Sequence, residues 1–275
     1  FFERLFTFFK KFKNLDFTYS GKALLALWQS FLVAFFATVF AAPSAIIVSY
    51  FANSVTSNKI IAFLIKIFIN FIRTFPPVIV AILFFSGFGP GLISGFFALY
   101  LYTTGVITKV YVDVLESVEV DYGLYGKSLG LRNFYIYLKL WLPSTYTNFV
   151  SIFLYRFESN MKNSSVLGMV GAGGIGEELW KNLSFLRYDK VSFIIVILLG
   201  FIFLTDTLSW FFRKKDNLIK ITTSEGYKKS KFISNFVIIG VLILLVFSLN
   251  ILYEDTNKIS APVFFERLFT FLKKF

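Results

Sequence analysis

Residues 164–176 read Ser-Ser-Val-Leu-Gly-Met-Val-Gly-Ala-Gly-Gly-Ile-Gly, with glycine at 168, 171, 173, 174 and 176. Gly171, Gly173 and Gly176 have the G-x-G-x-x-G spacing of a dinucleotide-binding turn. Such a turn works only after a buried strand and at the start of a helix, inside a soluble βαβ unit whose backbone amides meet a pyrophosphate. The fold therefore turns on whether the rest of the chain can supply that unit.

The composition excludes it. Hydrophobic residues make up 56% of the 275 residues, only 16% are charged, and mean hydropathy is +0.70. A soluble domain carries about a quarter charged residues. Apolar runs recur at 23–52, 60–85, 91–111, 136–157, 191–212 and 232–253. Each is long enough for a spanning helix, which needs roughly 20 mostly apolar residues. The expectation is an all-α polytopic membrane protein of about six spanning helices, with connections too short to hold a soluble domain.

The sequence contains neither cysteine nor histidine. Disulfides, thiol nucleophiles, histidine-dependent triads and the usual zinc sites are thereby excluded, and neither metal nor cofactor is expected. The net charge of +12 could point to nucleic acid. The lysines are not interleaved with aromatics on a soluble face, however, so membrane lipid and cytoplasmic loops account for the charge and no nucleic-acid partner is expected.

Residues 1–12 (FFERLFTFFKKF) recur at 264–275 (FFERLFTFLKKF), differing only where Phe9 becomes Leu272. A repeat at that distance suggests a duplicated unit, and the chain reads as one repeat of a longer tandem protein. Within the motif Phe1, Phe2, Leu5, Phe6, Phe8, Phe9 and Phe12 fall on one side of a helix, and Glu3, Arg4, Thr7, Lys10 and Lys11 on the other. That pattern fits a helix lying in the membrane interface. Arg213, Lys214, Lys215, Lys220, Lys228, Lys229 and Lys231 mark a cytoplasmic loop by the positive-inside rule. The expected organisation is an external interfacial helix at 1–22 and a five-span core at 23–213 with a cytoplasmic loop at about 112–135. A basic cytoplasmic linker at 214–231, a further span at 232–253 and the start of the repeated helix at 264–275 complete it.

Three segments could carry function. The 112–135 loop holds Asp113, Glu116, Glu119 and Asp121, then Gly123 to Arg132, and leads to Leu142-Pro143. Leu124, Tyr125, Leu129 and Leu131 could form a short helix offering a partner an apolar and basic surface; the plainer reading is a connecting loop. Charges inside spans are costly and usually functional. Arg73 precedes Pro76-Pro77, which must break the second span. Arg156 and Glu158 read as the end of the fourth span, and Asp206 lies inside the fifth. Arg156 and Glu158 are two residues apart and cannot face each other on a helix, so Arg73–Glu158 is a candidate pair, against simple snorkelling to the headgroups. The glycine segment would be a backbone bend between spans, tolerated where it is buried in protein or lines a cavity. A pathway wall or gate is the functional reading and a tight turn the bland one.

Taken in order, these segments resemble the phosphonate-type permease subunit of bacterial ABC importers over about residues 24–213. The resemblance rests on Phe71-Ile-Arg-Thr-Phe-Pro76, Gly105-Val-Ile-Thr-Lys109, Tyr155-Arg-Phe-Glu-Ser-Asn160, the 166–176 glycine segment and Asp206-Thr-Leu-Ser209. It extends to the double-length permeases of the mycoplasma-type high-affinity system. It implies a type I importer transmembrane domain, with ABC ATPase subunits on the cytoplasmic side, an external solute-binding lipoprotein and a second permease half, fused here by the repeat. Such permeases dock on the ATPase through an E-A-A---G signature. Aligned on Gly130, its Glu and two Ala positions fall on Leu124, Tyr125 and Gly126, so only the glycine and the later Leu142-Pro143 match.

By this resemblance, coupling to the ATPase would involve Glu116, Asp121, Gly126, Gly130, Arg132 and Pro143. The pathway or gate would involve Arg73, Pro76, Arg156, Glu158, Asn160, Gly168, Gly171, Gly173, Gly174 and Gly176. No phosphate-binding G-x-x-x-x-G-K-[ST] loop is present, so the chain would not itself hydrolyse ATP. It would move a small, anionic, phosphonate- or phosphate-ester-like solute across the cell membrane by alternating access. Two other classes compete: a secondary transporter driven by an ion gradient, and a membrane-embedded enzyme, which would need clustered acid–base groups that scattered carboxylates do not supply.

Overall fold

Thirty-three residues rich in alanine, leucine and phenylalanine form the longest helix, α1 (Ser20–Ala52), in the computed structural model, which describes residues 16–54, 56–118, 122–218 and Thr270. Ala23, Ala26, Ala34, Ala37, Ala41, Ala45 and Ala52 are buried along it. Small side chains let neighbouring helices approach closely where lipid offers no hydrophobic drive, so α1 becomes the axis of the bundle. A 3-10 turn, Phe17–Tyr19, runs directly into α1 and is capped by Asp16, which accepts from the Thr18 amide at 3.0 Å. The first span thus starts at Phe17, not at residue 23, because nothing at Lys22 interrupts the helical ladder. The interfacial helix expected at 1–22 lies outside the described residues up to position 15. The repeat motif at 264–275, the span at 232–253 and the linker beyond 218 lie outside them too, Thr270 excepted.

After α1 come α2 (Lys59–Thr74) and α3 (Pro77–Phe88), bent 88° from each other. The cause is local: the residue before a proline is pushed to extended backbone. Phe75 and Pro76 adopt ψ of 126° and 145°, and Pro77 then starts α3 where an amide would be unpaired anyway. α4 (Leu92–Glu116) returns along α1 and is followed by the short helices α5 (Tyr122–Ser128) and α6 (Asn133–Ile136). A π-helical turn, Tyr137–Trp141, leads into α7 (Leu142–Ser144) and α8 (Tyr146–Leu167). A second π-helical turn, Gly168–Ala172, leads to α9 (Gly174–Ser184) and finally α10 (Tyr188–Leu218).

The fourth apolar run, read as one span at 136–157, is instead broken at Thr145 and carried on to Leu167. Pro143 lacks an amide and its ring conflicts with the carbonyl one turn back. The preceding turn widens to π geometry, and Thr145 Oγ1 donates to the Trp141 carbonyl at 2.8 Å. Arg156 and Glu158 therefore sit midway along α8 rather than at a span end. Three described helices are long and apolar enough to cross a membrane, or four with the bent pair. α8 is too polar for that criterion, but its 22 residues reach about 33 Å at 1.5 Å per residue.

Contacts fix the two ends of the bundle. At one end Ala52, Ile69 and Val112 pack together, Lys66 pairs with Glu116, and Asn133 Nδ2 donates to the Thr56 carbonyl at 3.1 Å. At the other the Gly91 amide donates to the Gly171 carbonyl at 3.0 Å, and Tyr19 donates to Glu178. The α5–α6 element and the glycine turn thus lie at opposite ends of the bundle.

Candidate functional site

The glycine turn brings α8 and α9 together backbone to backbone. A Cβ on Gly176 would strike the Ser165 carbonyl oxygen and lie 2.9 Å from Gly168 Cα. One on Gly168 would strike the Gly173 carbonyl and lie 2.8 Å from Gly176 Cα. Gly171, Gly173 and Gly174 turn the chain with φ of 100°, 74° and 74°, a region that only glycine occupies without strain. The turn is strapped to its surroundings by Phe85 against Gly171, Leu92 against Gly173, and the Ile175 amide donating to Ser30 Oγ at 2.9 Å. Except for half-buried Gly171 the glycines are buried, and the open face of this segment is made by Val166, Met169 and Val170. The dinucleotide reading fails on three counts. A helix precedes the turn, no strand occurs among the described residues, and Glu177 stands in the first turn of α9 where its charge would repel a phosphate.

Midway across the bundle lies a second constellation that the sequence pointed to only through Arg156 and Asn160. Asn160 Nδ2 donates to Thr38 Oγ1 on α1 at 2.9 Å, and its amide shares bonds of 2.9 and 3.0 Å with Thr103 Oγ1 on α4. One fully buried amide thereby ties three helices. Arg156 is only 6% exposed. Its Nη2 approaches Asn160 Oδ1 and its Nη1 approaches Ser159 Oγ, both at 3.4 Å, while Nε has no partner. Its guanidinium carbon lies 5.4 Å from the centre of the Tyr102 ring. Thr38, Tyr102 and Thr103 belong to this site and were missed. The available signal was hydroxyls interrupting otherwise apolar runs.

The expected Arg73–Glu158 pair does not form among the described ion pairs. Glu158 joins Lys162, one turn along its own helix, at 3.0 Å, and Lys162 reaches Asp206 of α10 at 3.3 Å. Arg73 instead lies against α4, where its Cγ would be 3.5 Å from a Cβ on Gly105. Pro76 serves as the N-cap of α3 at the bend.

At the opposite end from the glycine turn, α5 finishes in a Schellman motif. The Leu131 amide donates to the Gly126 carbonyl at 3.0 Å and the Gly130 amide to the Lys127 carbonyl at 2.9 Å, with Gly130 at φ 71°. This is why Gly130 is glycine: the motif needs a left-handed residue just past the helix end. Gly126 is glycine for a different reason, since a Cβ there would stand 2.5 Å from Ile136 Cγ1. An alanine at that position cannot fit unless Ile136 moves, which accounts for the glycine there. Tyr125 on α5 and Leu129 just past its end are exposed, while Tyr111, Leu115, Ile136, Tyr137 and Trp141 bury the back of the element. Tyr137 is locked to α1 by donating to the Ile46 carbonyl at 2.9 Å.

Of the other residues expected here, Glu116 is engaged by Lys66 and exposed Arg132 is the N-cap of α6. Pro143 sits exposed in α7, and Asp121 lies outside the described residues.

Residues 45–215 match the family described as "Binding-protein-dependent transport system inner membrane component". The chain belongs to that family. It is accordingly a multi-pass component of the cell membrane. It is 30% identical over 178 residues to the phosphite transport system permease protein PtxC of Stutzerimonas stutzeri, covering 64% of this chain and 65% of that one. With the phosphate-import permease protein PhnE of Mycolicibacterium smegmatis it shares 28% identity over 216 residues, 78% of this chain and 40% of the relative. The chain thus spans under two thirds of the length of these two relatives. The inward-facing methionine ABC transporter MetNI superposes with a TM-score of 0.64 at 16% identity, over 74% of this chain and 99% of the MetNI chain. At that identity the likeness is one of fold, that of a type I importer transmembrane domain.

Proposed function

We propose that this chain is a transmembrane half of an ATP-driven importer that carries a small phosphorus oxyanion, such as a phosphonate, phosphite or phosphate. The observation that carries the reading is the α5–α6 element. Its helix is ended by Gly130, its back is locked into the bundle by Tyr137 and Ile136, and its outer face offers Tyr125 and Leu129 at the end where α1 and α4 finish. A rigid helix presented in this way transmits movement of a docked ATPase subunit to α4 and α8, which rock about the glycine turn and switch access from outside to inside. ATP would be hydrolysed by that partner, and an external solute-binding lipoprotein would deliver solute at the glycine end. The names of the relatives support a phosphorus oxyanion. The terminal repeat, together with a phosphate-import relative long enough to hold the matched segment twice, supports a second, fused half.

Reconstitution tests the reading. Vesicles containing the full chain, its ATPase subunit and its binding protein should accumulate radiolabelled phosphite, phosphate or methylphosphonate only with internal-facing ATP. Uptake driven by an ion gradient with no ATPase present would refute it.

A further inference from the structure

Two arginines pack against one turn of α4, neither in an ion pair with a carboxylate among the described residues. Tyr102 and Gly105 are three apart and so share a face of that helix. Arg156 from α8 covers the Tyr102 ring at 5.4 Å, and Arg73 from α2 packs over Gly105. A buried guanidinium without a carboxylate partner is costly in a low-dielectric interior. A guanidinium has five donors, yet Arg156 makes only two hydrogen bonds, both at 3.4 Å, and its buried Nε makes none. The Asn160–Thr103–Thr38 network fixes the one acceptor, Asn160 Oδ1, that orients Nη2 from below.

We infer that Arg156, with Arg73 beside it, forms an internal oxyanion site that holds the tetrahedral solute in transit between the outer and inner openings. The inference rests on the importer reading and adds where, and by which groups, the solute is held. A phosphite, phosphate or phosphonate supplies acceptors in the paired arrangement a guanidinium fork matches, and its negative charge compensates the buried Arg156. Tyr102, whose face carries the guanidinium, orients Arg156.

Phosphorus NMR line broadening of inorganic phosphite and phosphate, with the full chain in nanodiscs of zwitterionic lipid and no ATPase or binding protein, tests this directly. The wild type should broaden both signals. R156Q should weaken binding by about 10- to 100-fold, the loss of one charge-assisted contact pair. R156K, which keeps the charge but loses the fork, should weaken it about 10-fold. N160D should abolish it by giving Arg156 an internal carboxylate. Should R156Q fail to fold, R156K and N160D carry the test. Absence of broadening in the wild type, or R156K and N160D binding like the wild type, overturns the inference. Because this titration needs no ATP, its failure is distinguishable from failure of ATP-driven uptake, which would sink the importer reading itself.

Discussion

Replacing Gly176 by alanine puts the packing of the glycine turn to a quantitative test. The new methyl would meet the Ser165 carbonyl oxygen, Gly168 Cα and the Met169 amide nitrogen, the last two at 2.9 Å. All three are backbone atoms, so no side chain can rotate away and α9 itself must move off α8. Overpacking of this kind costs about 1–3 kcal/mol in a well-packed interior, and rigid backbone on every side puts Gly176 at the upper end. Against it stands the gain of about 0.5–1 kcal/mol that alanine brings to a helix by reducing unfolded-state freedom. The net loss is about 2 kcal/mol. Gly21 supplies the internal control: it is helical, exposed, and a Cβ there meets nothing within 4 Å, so Gly21→Ala should gain about 0.5–1 kcal/mol. At roughly 2–4 °C per kcal/mol, thermal unfolding in nanodiscs followed by tryptophan fluorescence should place Gly176→Ala about 4–8 °C below the wild type and Gly21→Ala slightly above it. A Gly176→Ala midpoint equal to or above the wild type would refute the reasoning, because no rearrangement of side chains can create the missing space.

Further outcomes follow from the same contacts. Gly130→Ala keeps its open surroundings but forces a left-handed alanine at a cost of about 1 kcal/mol; Gly126→Val drives a branched side chain into Ile136. The ratio of solute transported to ATP hydrolysed should therefore fall slightly in the first variant and severely in the second, and the reverse order would remove α5 from coupling. Asn160→Leu leaves the Thr103 hydroxyl without a partner and takes an acceptor from Arg156, while Thr38 keeps its bond to the Ala34 carbonyl; it should cost about 2 kcal/mol, against about 0.6 kcal/mol for Thr103→Val, read as unfolding midpoints in nanodiscs. Lys66→Ala breaks a pair whose side chains are 32% and 39% exposed, so it should cost under about 1 kcal/mol in the same assay.

The spans at 23–52, 91–111 and 191–212 were legible because lipid exposure demands unbroken apolar length, and the kink at Pro76-Pro77 because proline imposes its geometry locally. The course of α8 was not. Its polar middle, Arg156 to Lys162, reads as the end of a span until Thr38 and Thr103 are known to face Asn160, and those partners lie 122 and 57 residues away. For the same reason the Arg73–Glu158 pair was a reasonable guess and a wrong one: Glu158 found its cation one turn along its own helix. The glycine segment stood out by composition, yet composition could not distinguish a pathway wall from a crossing of two backbones. The approach of Ser165 to Gly176 shows the crossing. Gly130 was found by alignment, and its physical reason, the Schellman closure, appeared with the backbone.

The Asn160 network also constrains how the protein is made. A helix carrying Arg156, Glu158, Asn160 and Lys162 is a poor candidate to leave the translocon alone, since each charge near mid-bilayer costs about 2.5–3.5 kcal/mol on insertion scales. Its hydrogen-bonding partners are encoded earlier, in α1 and α4, and are already synthesised when α8 emerges. Insertion of α8 is therefore a docking event onto a waiting pair of helices, and the order of the segments along the gene is part of the folding mechanism. A circular permutation that delivered α8 first would strand its polar face in lipid, with every residue of the final structure still present.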